Sequence, residues 1–533
     1  MPYAEFWSAS PAISLNMWRM MGMDNSLTLK MKQDSRWYLA MSCIYGLLFT
    51  GCLYKNLSGA AFPVMVLVSI LFAAAFLNRA GIRLKRDSVF YFAGILLLGV
   101  STCLTANTFF HFFNMAGILL LLMAVMVHQI YEDNFWGFTL YVKNFFRFIG
   151  AWISEVPSPF SDWGKIRKHR KAAEEKQEKK RKKYKNLGPV ILGIFIAFLF
   201  MLIVFPLLLM SDRVFSQMFI NIFRLVDMRF IFEYIDVENL LGILFTFFLG
   251  MISIYAFFSG LYKKDLPLEE KKNRKNVNAV TGITFASVLA FIYVLYSAVQ
   301  ILFLFLRVGD ALPDGMTYSE YAHEGFWQLL FVSIINFGAV LVCVKVFENN
   351  RILRILLCII SVCTCVMIVS AAYRMMLYVS EYNLTFLRVL VLWFLGMLML
   401  IFLGVIYSIF REKFRLFRYI MAVVSVCYIV FSFSHIDAVI ASYNVENTEN
   451  MTPEDIRYLL YSLSEDAAPV IARIDLDTLE EISEEYNGDV IGDVYYYFEN
   501  LRGKSTEQSL RTWNYARSRA YDAAENWYPQ VKY

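Results

Sequence analysis

Charged residues are scarce in this chain, and their scarcity excludes an ordinary soluble protein. Asp, Glu, Lys and Arg make up 18% of the 533 residues, whereas 58% are hydrophobic. About a quarter of an ordinary soluble domain is charged, and a soluble protein of this composition would expose unusually large apolar patches. Apolar runs of about 20 residues recur, each long enough to cross the hydrocarbon core of a bilayer. The composition therefore predicts an all-α polytopic membrane protein.

Motifs that carry chemistry are also missing. The five histidines are scattered, and there is no Walker A loop, Gly-rich dinucleotide fingerprint, H-E-x-x-H or G-x-S-x-G. All eight cysteines lie inside apolar runs, which implies neither a disulfide framework nor a metal pair. We therefore expect no catalytic residues, no cofactor and no metal, and the sequence favours a role other than that of an enzyme.

The apolar runs predict eleven spanning helices. Their approximate limits are 37–54, 60–78, 88–106, 110–129, 188–210, 240–262, 278–306, 326–347, 352–373, 386–409 and 415–434. Segment 134–155 is aromatic but carries Lys143 and Arg147 in its middle, so we interpret it as a helix lying in the membrane interface. A twelfth span is the alternative. We expect no cleavable signal peptide before the first run.

Basic residues are concentrated in six segments that predict the orientation. The richest is loop 156–187, with twelve Lys or Arg and three Glu from Lys165 to Lys185. With eleven spans, all six fall on one side of the membrane: the stretch before the first span, 78–87, 156–187, 262–277, 349–354 and 411–418. Because Lys and Arg mark cytoplasmic loops, we expect a cell-membrane protein with its N-terminus inside and its C-terminus outside. Anionic lipid is the expected partner of these loops, and nucleic acid is not.

These features divide the chain into five segments. They are a cytoplasmic N-terminal segment 1–36, a first membrane group 37–155 with four spans and the interfacial helix, a basic cytoplasmic loop 156–187, a second membrane group 188–434 with seven spans, and an acidic tail 435–533. From Asp437 onward the tail has nineteen Asp or Glu against eight Lys or Arg. Regular apolar positions and a capped start at Thr452 and Pro453 predict packed extracytoplasmic helices over 452–525.

Polar residues at the predicted outer helix ends form the candidate site. Its members are Glu320, His323, Glu324, Arg374, Glu381 and Arg388. Glu320 fits a capping box with Thr317, whereas an arginine in the first turn of a span needs a partner. We therefore expect Arg388 to pair with Glu324 or Glu381. One interpretation is a salt-bridged latch between helix ends, and the other is a pocket for a lipid headgroup, a peptide or a wall precursor.

Three stretches of the chain resemble a family of bacterial integral membrane proteins. They are "TYSEYAHEGFWQLLFVSIIN", "YRMMLYVSEYNLTFLR" and "HIDAVIASYNVENTENMTPEDIRYLLYSLSEDAAPVI". The family is that of the domain-of-unknown-function proteins of the 4153/4173 group, and the similarity covers about 188 to 470. Its motifs more often have Arg at the position of His323, which disfavours a metal there, and commonly have Gly at the position of Asn383. The resemblance implies a fold family and no particular reaction.

The sequence leaves three functions open. The first is a non-enzymatic sensor or accessory subunit in envelope homeostasis, with a membrane protein as partner. The second is a carrier for a lipid or small solute, which requires a water-filled cavity reaching mid-membrane. The third is a membrane enzyme acting on a lipid-linked substrate at the outer face, which requires carboxylates converging in a cleft. A sensor or accessory subunit requires neither feature and predicts a docked tail.

Overall fold

The structure is a computed structural model, and helices dominate its described residues. These are residues 26–131, 136, 138–175, 237–263, 277–305, 326–411, 414–447, 451–486, 488–505 and 509–528. Up to the start of the tail the helices are α1 Ser26–Gln33, α2 Ser35–Leu53, α3 Ala61–Arg79, α4 Val89–Leu104, α5 Thr108–Ile130, α6 Phe138–Ser154, α7 Ser158–Glu175, α8 Val237–Lys263, α9 Ala279–Val299, α10 Phe326–Val346, α11 Arg351–Tyr382, α12 Phe386–Phe410 and α13 Leu416–Ser432. A π-helical segment, Gln300–Phe305, continues α9.

Eight helices in the described ranges are long and apolar enough to cross a membrane. They are Ala61–Arg79, Arg86–Leu104, Thr108–Ile130, Asn239–Tyr262, Ala279–Leu302, Trp327–Val346, Arg351–Ser380 and Phe386–Phe410. A ninth candidate is a bent pair, in which Leu416–Ser432 and Ile436–Asn447 meet at 58°. The predicted class, a polytopic helical membrane protein, is confirmed.

The predicted count of eleven spans is not confirmed. Predicted span 37–54 corresponds to α2, which is helical over 19 residues but is not among the eight. Predicted span 415–434 corresponds to α13, whose 17 residues qualify only together with the helix that follows. Predicted span 188–210 lies outside the described residues. Within segment 134–155, α6 has 17 residues and is not among the candidate spans.

The chain divides into two compact units. The first comprises Met1–Lys55, Leu71–Gly81 and Phe148–Asp265, and the second comprises Asn56–Ile70, Ile82–Arg147 and Leu266–Tyr533. In the first unit α2 packs along α8. A Cβ atom added to Gly46 would lie 2.8 Å from the carbonyl oxygen of Phe247, so the small residue permits this close approach. Helix α8 therefore shares a unit with α2, although the sequence assigned them to different membrane groups.

The second unit holds α4, α5, α9 to α13 and the tail, whereas the residues of α3 are divided between the two units. Helices α9, α10, α11 and α12 surround buried apolar residues such as Val340, Leu357 and Val405. Two amide side chains that lie well inside this group of helices are hydrogen-bonded to neighbouring helices. Asn336 accepts from the hydroxyl of Tyr293 at 2.7 Å and donates to Thr364 at 2.9 Å. Gln300 accepts from Ser370 at 2.6 Å. Since buried amides with partners fit ordinary helix packing, these two need no transport role.

The acidic tail is helical, as predicted. Its helices are α14 Ile436–Asn447, α15 Pro453–Tyr461, α16 Ala468–Ile471, α17 Leu476–Glu485, α18 Val490–Ser505 and α19 Tyr515–Trp527. Thr452 is the N-cap of α15, and it forms a capping box with Asp455, so the predicted helix start is confirmed. The buried side chains of the tail helices, Phe498 and Trp527 among them, pack into one core.

Candidate functional site

The tail packs on one end of the membrane helices of the second unit. The tail and the spans share a single apolar core, in which Ile440 and Leu459 of the tail join Phe110 of α5 and Phe431 of α13. Trp393 of α12 stacks on Phe431 with ring centroids 4.7 Å apart. Fully burying one large apolar side chain stabilises a fold by about 1.5–3 kcal/mol. The tail is therefore held on the spans by a shared apolar core and not by surface contacts alone.

Asp466 is a buried carboxylate with four polar partners at this interface. Its Oδ2 accepts from the backbone N–H of Ala106 at 2.7 Å, the hydroxyl of Thr105 at 3.0 Å and the hydroxyl of Ser464 at 2.9 Å. Its Oδ1 lies 2.9 Å from Nδ1 of His435. Burial raises the pKa of Asp466, but the hydrogen bonds, above all that from His435, outweigh burial and hold the pKa below its ordinary value. The carboxylate is therefore stabilised in its charged form.

A second buried carboxylate, Asp437, lies beside the first. It accepts from the side-chain amide of Asn107 at 2.8 Å and from the backbone N–H of Ser464 at 3.0 Å. Asn107 is itself the N-cap of α5 and accepts from the N–H of Phe109. The two carboxylates thus lie at the N-terminus of α5, where the helix dipole favours negative charge. Together they join the tail to the loop between α4 and α5.

An amide and a hydroxyl attach the tail to the loop between α11 and α12. Asn444 of α14 accepts from the N–H of Leu384 at 2.8 Å and donates to the carbonyl of the same residue at 3.0 Å. The hydroxyl of Tyr458 accepts from the N–H of Phe386, the first residue of α12. Because these N–H and C=O groups lie at helix ends without intrahelical partners, the tail completes the capping of α11 and α12.

Asn514 makes the corresponding attachment near the end of the chain. It is the N-cap of α19 and is fully buried. Its Nδ2 donates to the carbonyl oxygens of Ser58 and Thr105, each at 2.9 Å. A Cβ atom on nearby Gly59 would lie 2.5 Å from the carbonyl oxygen of Arg511, so only glycine permits this approach of the two backbones. The last tail helix is therefore fixed to the loop before α3 and to the loop after α4.

The residues predicted from sequence are only partly within the described structure. Glu320, His323 and Glu324 lie outside the described residues, and so does Thr317. Glu381 lies in the last turn of α11. The described part of the structure therefore does not test the predicted pairing of Arg388 with Glu324 or Glu381.

Arg374 and Arg388 have partners that the sequence did not suggest. Arg374 is buried in α11 and donates to Gln300 at 3.4 Å. The guanidinium of Arg388 donates to the carbonyl of Tyr382 at 2.5 Å and to that of Asn383, and it lies 4.3 Å from the ring centroid of Tyr378. Arg388 thus caps the C-terminus of α11, a local reason for a cation at this position. Its pairing with Glu324 or Glu381 stays a prediction.

The residues that attach the tail were not recognised as a site from the sequence. His435, Asp437, Asn444, Tyr458 and Asp466 all fall in the third stretch quoted above, between apolar positions of helical spacing. That run of polar residues was a usable signal, because a solvated acidic helix would not need amides and an imidazole among its carboxylates. Among the described residues, no group of three or more His, Cys, Asp or Glu side chains could hold a metal ion.

Comparison with models of known protein families shows the family of this chain. The model of the family described as Domain of unknown function (DUF4153) matches residues 92–474. The chain belongs to this family. The match begins well before residue 188, where the resemblance was expected to start, and it includes the five attachment residues from His435 to Asp466. Asn514 lies beyond the part matched by DUF4153. No curated protein and no solved structure matches the chain.

Proposed function

We propose that this DUF4153 protein is a bacterial cell-membrane protein with its N-terminus inside and its acidic tail outside. The tail would serve as a docked sensory or accessory module in envelope homeostasis. The observation that carries the proposal is the attachment of the tail to one set of helix ends through Asp466, Asp437, Asn444 and Asn514. Because these polar side chains are buried, they hold the tail in one position on the helix ends. Few of their polar atoms are left to react with a substrate.

The distribution of charge supports the proposed orientation. Helix α4 begins next to the basic segment 78–87 and ends at the docking loop 105–107. Helix α12 begins at the docking residue Phe386 and ends beside Arg411. For each helix, the loop at one end is basic and the loop at the other end contacts the tail. By the rule that Lys and Arg mark cytoplasmic loops, the tail end is the outer end.

The burial of the two carboxylates favours this role over catalysis. Asp437 is 2% exposed and Asp466 is 6% exposed. A membrane enzyme needs its carboxylates at the wall of a cleft that admits substrate. Here the oxygens of both carboxylates accept hydrogen bonds that hold the tail. Anionic lipid at the basic end and a membrane protein in contact with the tail are the partners that we propose.

Cysteine labelling in intact cells tests the orientation. Leu510 of the tail is 93% exposed, so a Leu510→Cys variant should react with a membrane-impermeant maleimide without lysis. Lys176→Cys in the basic loop should react only after lysis. The unchanged chain, with its eight native cysteines, gives the background. Labelling of Lys176→Cys in intact cells would overturn the orientation.

A locked tail tests the sensory role. The side chain of Asn383 donates to Asp455 of α15 at 3.3 Å, so cysteines at these two positions can be joined by a short thiol crosslinker. Cells first need a measurable envelope phenotype on deletion of the chain; no such phenotype would count against the proposal. A sensor loses its response when the tail is locked, whereas an accessory subunit that stays docked keeps it. Each single cysteine variant, treated alike, is the control.

A further inference from the structure

A cavity opens at the basic end of the second unit, opposite the docked tail. Its volume is about 390 Å³, and it lies where the end of α10, the start of α11 and the end of α12 meet. This volume is within the range of about 300–1,000 Å³ typical of ligand sites. Its described lining includes none of the residues that attach the tail, and neither Arg374 nor Arg388.

The lining of the cavity has two chemically distinct parts. The inner wall is apolar and includes Leu357, Val405 and Ile409. Among the described residues, the lining includes Arg354 and Arg411 at the helix ends, with Glu348 as the one carboxylate. Arg354 is half-buried and Arg411 is exposed. A guanidinium presents donors in a planar fork that matches a phosphate, so the rim is suited to an anion.

The apolar wall continues onto the outside of the span. Val344 of α10 lines the cavity, yet it is 38% exposed. On a membrane helix such an exposed apolar residue meets hydrocarbon. A ligand with an anionic head at the arginines can therefore extend a hydrocarbon chain along Val344 into the lipid. The start of α11 lies at the same rim, and its N–H groups add partial positive charge.

We propose that this cavity is a binding site for an anionic phospholipid, with its phosphate at Arg354 and Arg411 and one acyl chain against the wall at Val344. This goes beyond a general attraction of basic loops to the membrane surface, because it assigns one discrete site with an apolar half. The site does not depend on the sensory role or on the orientation. An anionic phospholipid of either leaflet could place its phosphate at the arginines and its acyl chain at Val344 in the same way.

The test uses the purified full-length chain in detergent. Phosphatidylglycerol is titrated, and retained lipid is counted by native mass spectrometry, with phosphatidylcholine as the neutral comparison. An arginine near an anionic lipid contributes about fivefold in affinity. We expect Arg411→Gln and Arg354→Gln each to weaken phosphatidylglycerol binding about fivefold. Arg415→Gln is the matched control, because Arg415 is exposed nearby but does not line the cavity.

Two further arms separate a lipid from a free anion. Val344→Trp places a large side chain in the apolar half, so it should abolish specific retention while leaving the arginines in place. Inorganic phosphate should not compete with the lipid at equal concentration. Competition by phosphate, or full retention in Val344→Trp, would show a simple anion site and overturn the lipid assignment. Equal affinity in Arg411→Gln, Arg415→Gln and the unchanged chain would overturn the site itself.

Discussion

The Oδ2 atom of Asp466 accepts a hydrogen bond from the backbone N–H of Ala106 at 2.7 Å, although 360 positions separate the two residues in sequence. Ala106 lies in the loop between two spans, and Asp466 lies in the tail. This bond, with those of Thr105 and His435 to the same carboxylate, makes Asp466 the centre of the attachment.

Asp466→Asn should destabilise the chain by about 3 kcal/mol, the range for breaking a buried, charge-assisted set of hydrogen bonds. An asparagine keeps one acceptor oxygen but places an NH₂ group opposite donors. The matched control is Asp493→Asn, which removes an exposed ion pair to Arg457 at 3.1 Å and should cost about 0.5 kcal/mol. Thermal unfolding of both variants in detergent measures the difference, and equal melting temperatures would contradict the assigned role of Asp466.

The contribution of Asp466 should depend on pH in one direction. Its pKa in the folded protein lies below its ordinary value. The stabilisation is therefore complete above the ordinary carboxyl pKa, and it is lost as the pH falls through the lower folded value. We expect the melting-temperature gap between the unchanged chain and Asp466→Asn to be constant near neutrality and to close in acid. A gap that widens on acidification would show that folding raises the pKa of Asp466, which contradicts the prediction.

Asn383→Gly should raise stability. Asn383 follows α11 with φ 65° and ψ 174°, a region that is essentially reserved for glycine and costs other residues about 1–3 kcal/mol. The glycine loses the 3.3 Å hydrogen bond to Asp455, worth about 1 kcal/mol. Asn383→Ala is the matched variant, because it loses the same bond and keeps the strain. The order of melting temperatures should be Gly above Asn above Ala, and a higher value for Ala than for Gly would refute the conformation.

Arg388→Ala should destabilise the chain by about 2 kcal/mol, because two backbone carbonyls at the end of α11 lose a charged donor. Arg388→Lys should restore only part of this, since an ammonium group lacks the planar fork. Arg519→Ala is the control: Arg519 also lies over a tyrosine ring but is bonded to a hydroxyl at the surface. Its cost should stay within about 0.5 kcal/mol. An unchanged melting temperature in Arg388→Ala would contradict the capping role.

The predicted pairing of Arg388 with Glu324 needs a separate measurement. Capping of α11 and pairing with a carboxylate are compatible, because a guanidinium has five N–H donors. If the pair exists, removing Glu324 and Arg388 together costs less than the sum of the single losses. Strict additivity would leave capping as the whole explanation for the charge at position 388.

The sequence by itself determined the class of the protein and most of its helices. The length and the polarity of a run decide whether it crosses a bilayer, and both are local properties. Eight predicted spans therefore correspond to candidate spans, whereas α2 and α13, which are short or less apolar, remain outside the eight. The start of α15 at Thr452 was equally predictable, because a capping box is complete within four residues.

Only the tertiary structure decided which polar residues act together. Asp466 meets Ala106, and Asn514 meets Ser58 and Thr105, across hundreds of residues. A hydrogen bond from a side chain to a distant backbone group leaves no periodic pattern, because the backbone half of the pair has no sequence signature. From the sequence, the candidate site was therefore predicted at the charged residues 320–324 and 388. The backbone partners of the amides and carboxylates that hold the tail were decided only when folding brought the helix ends beneath it.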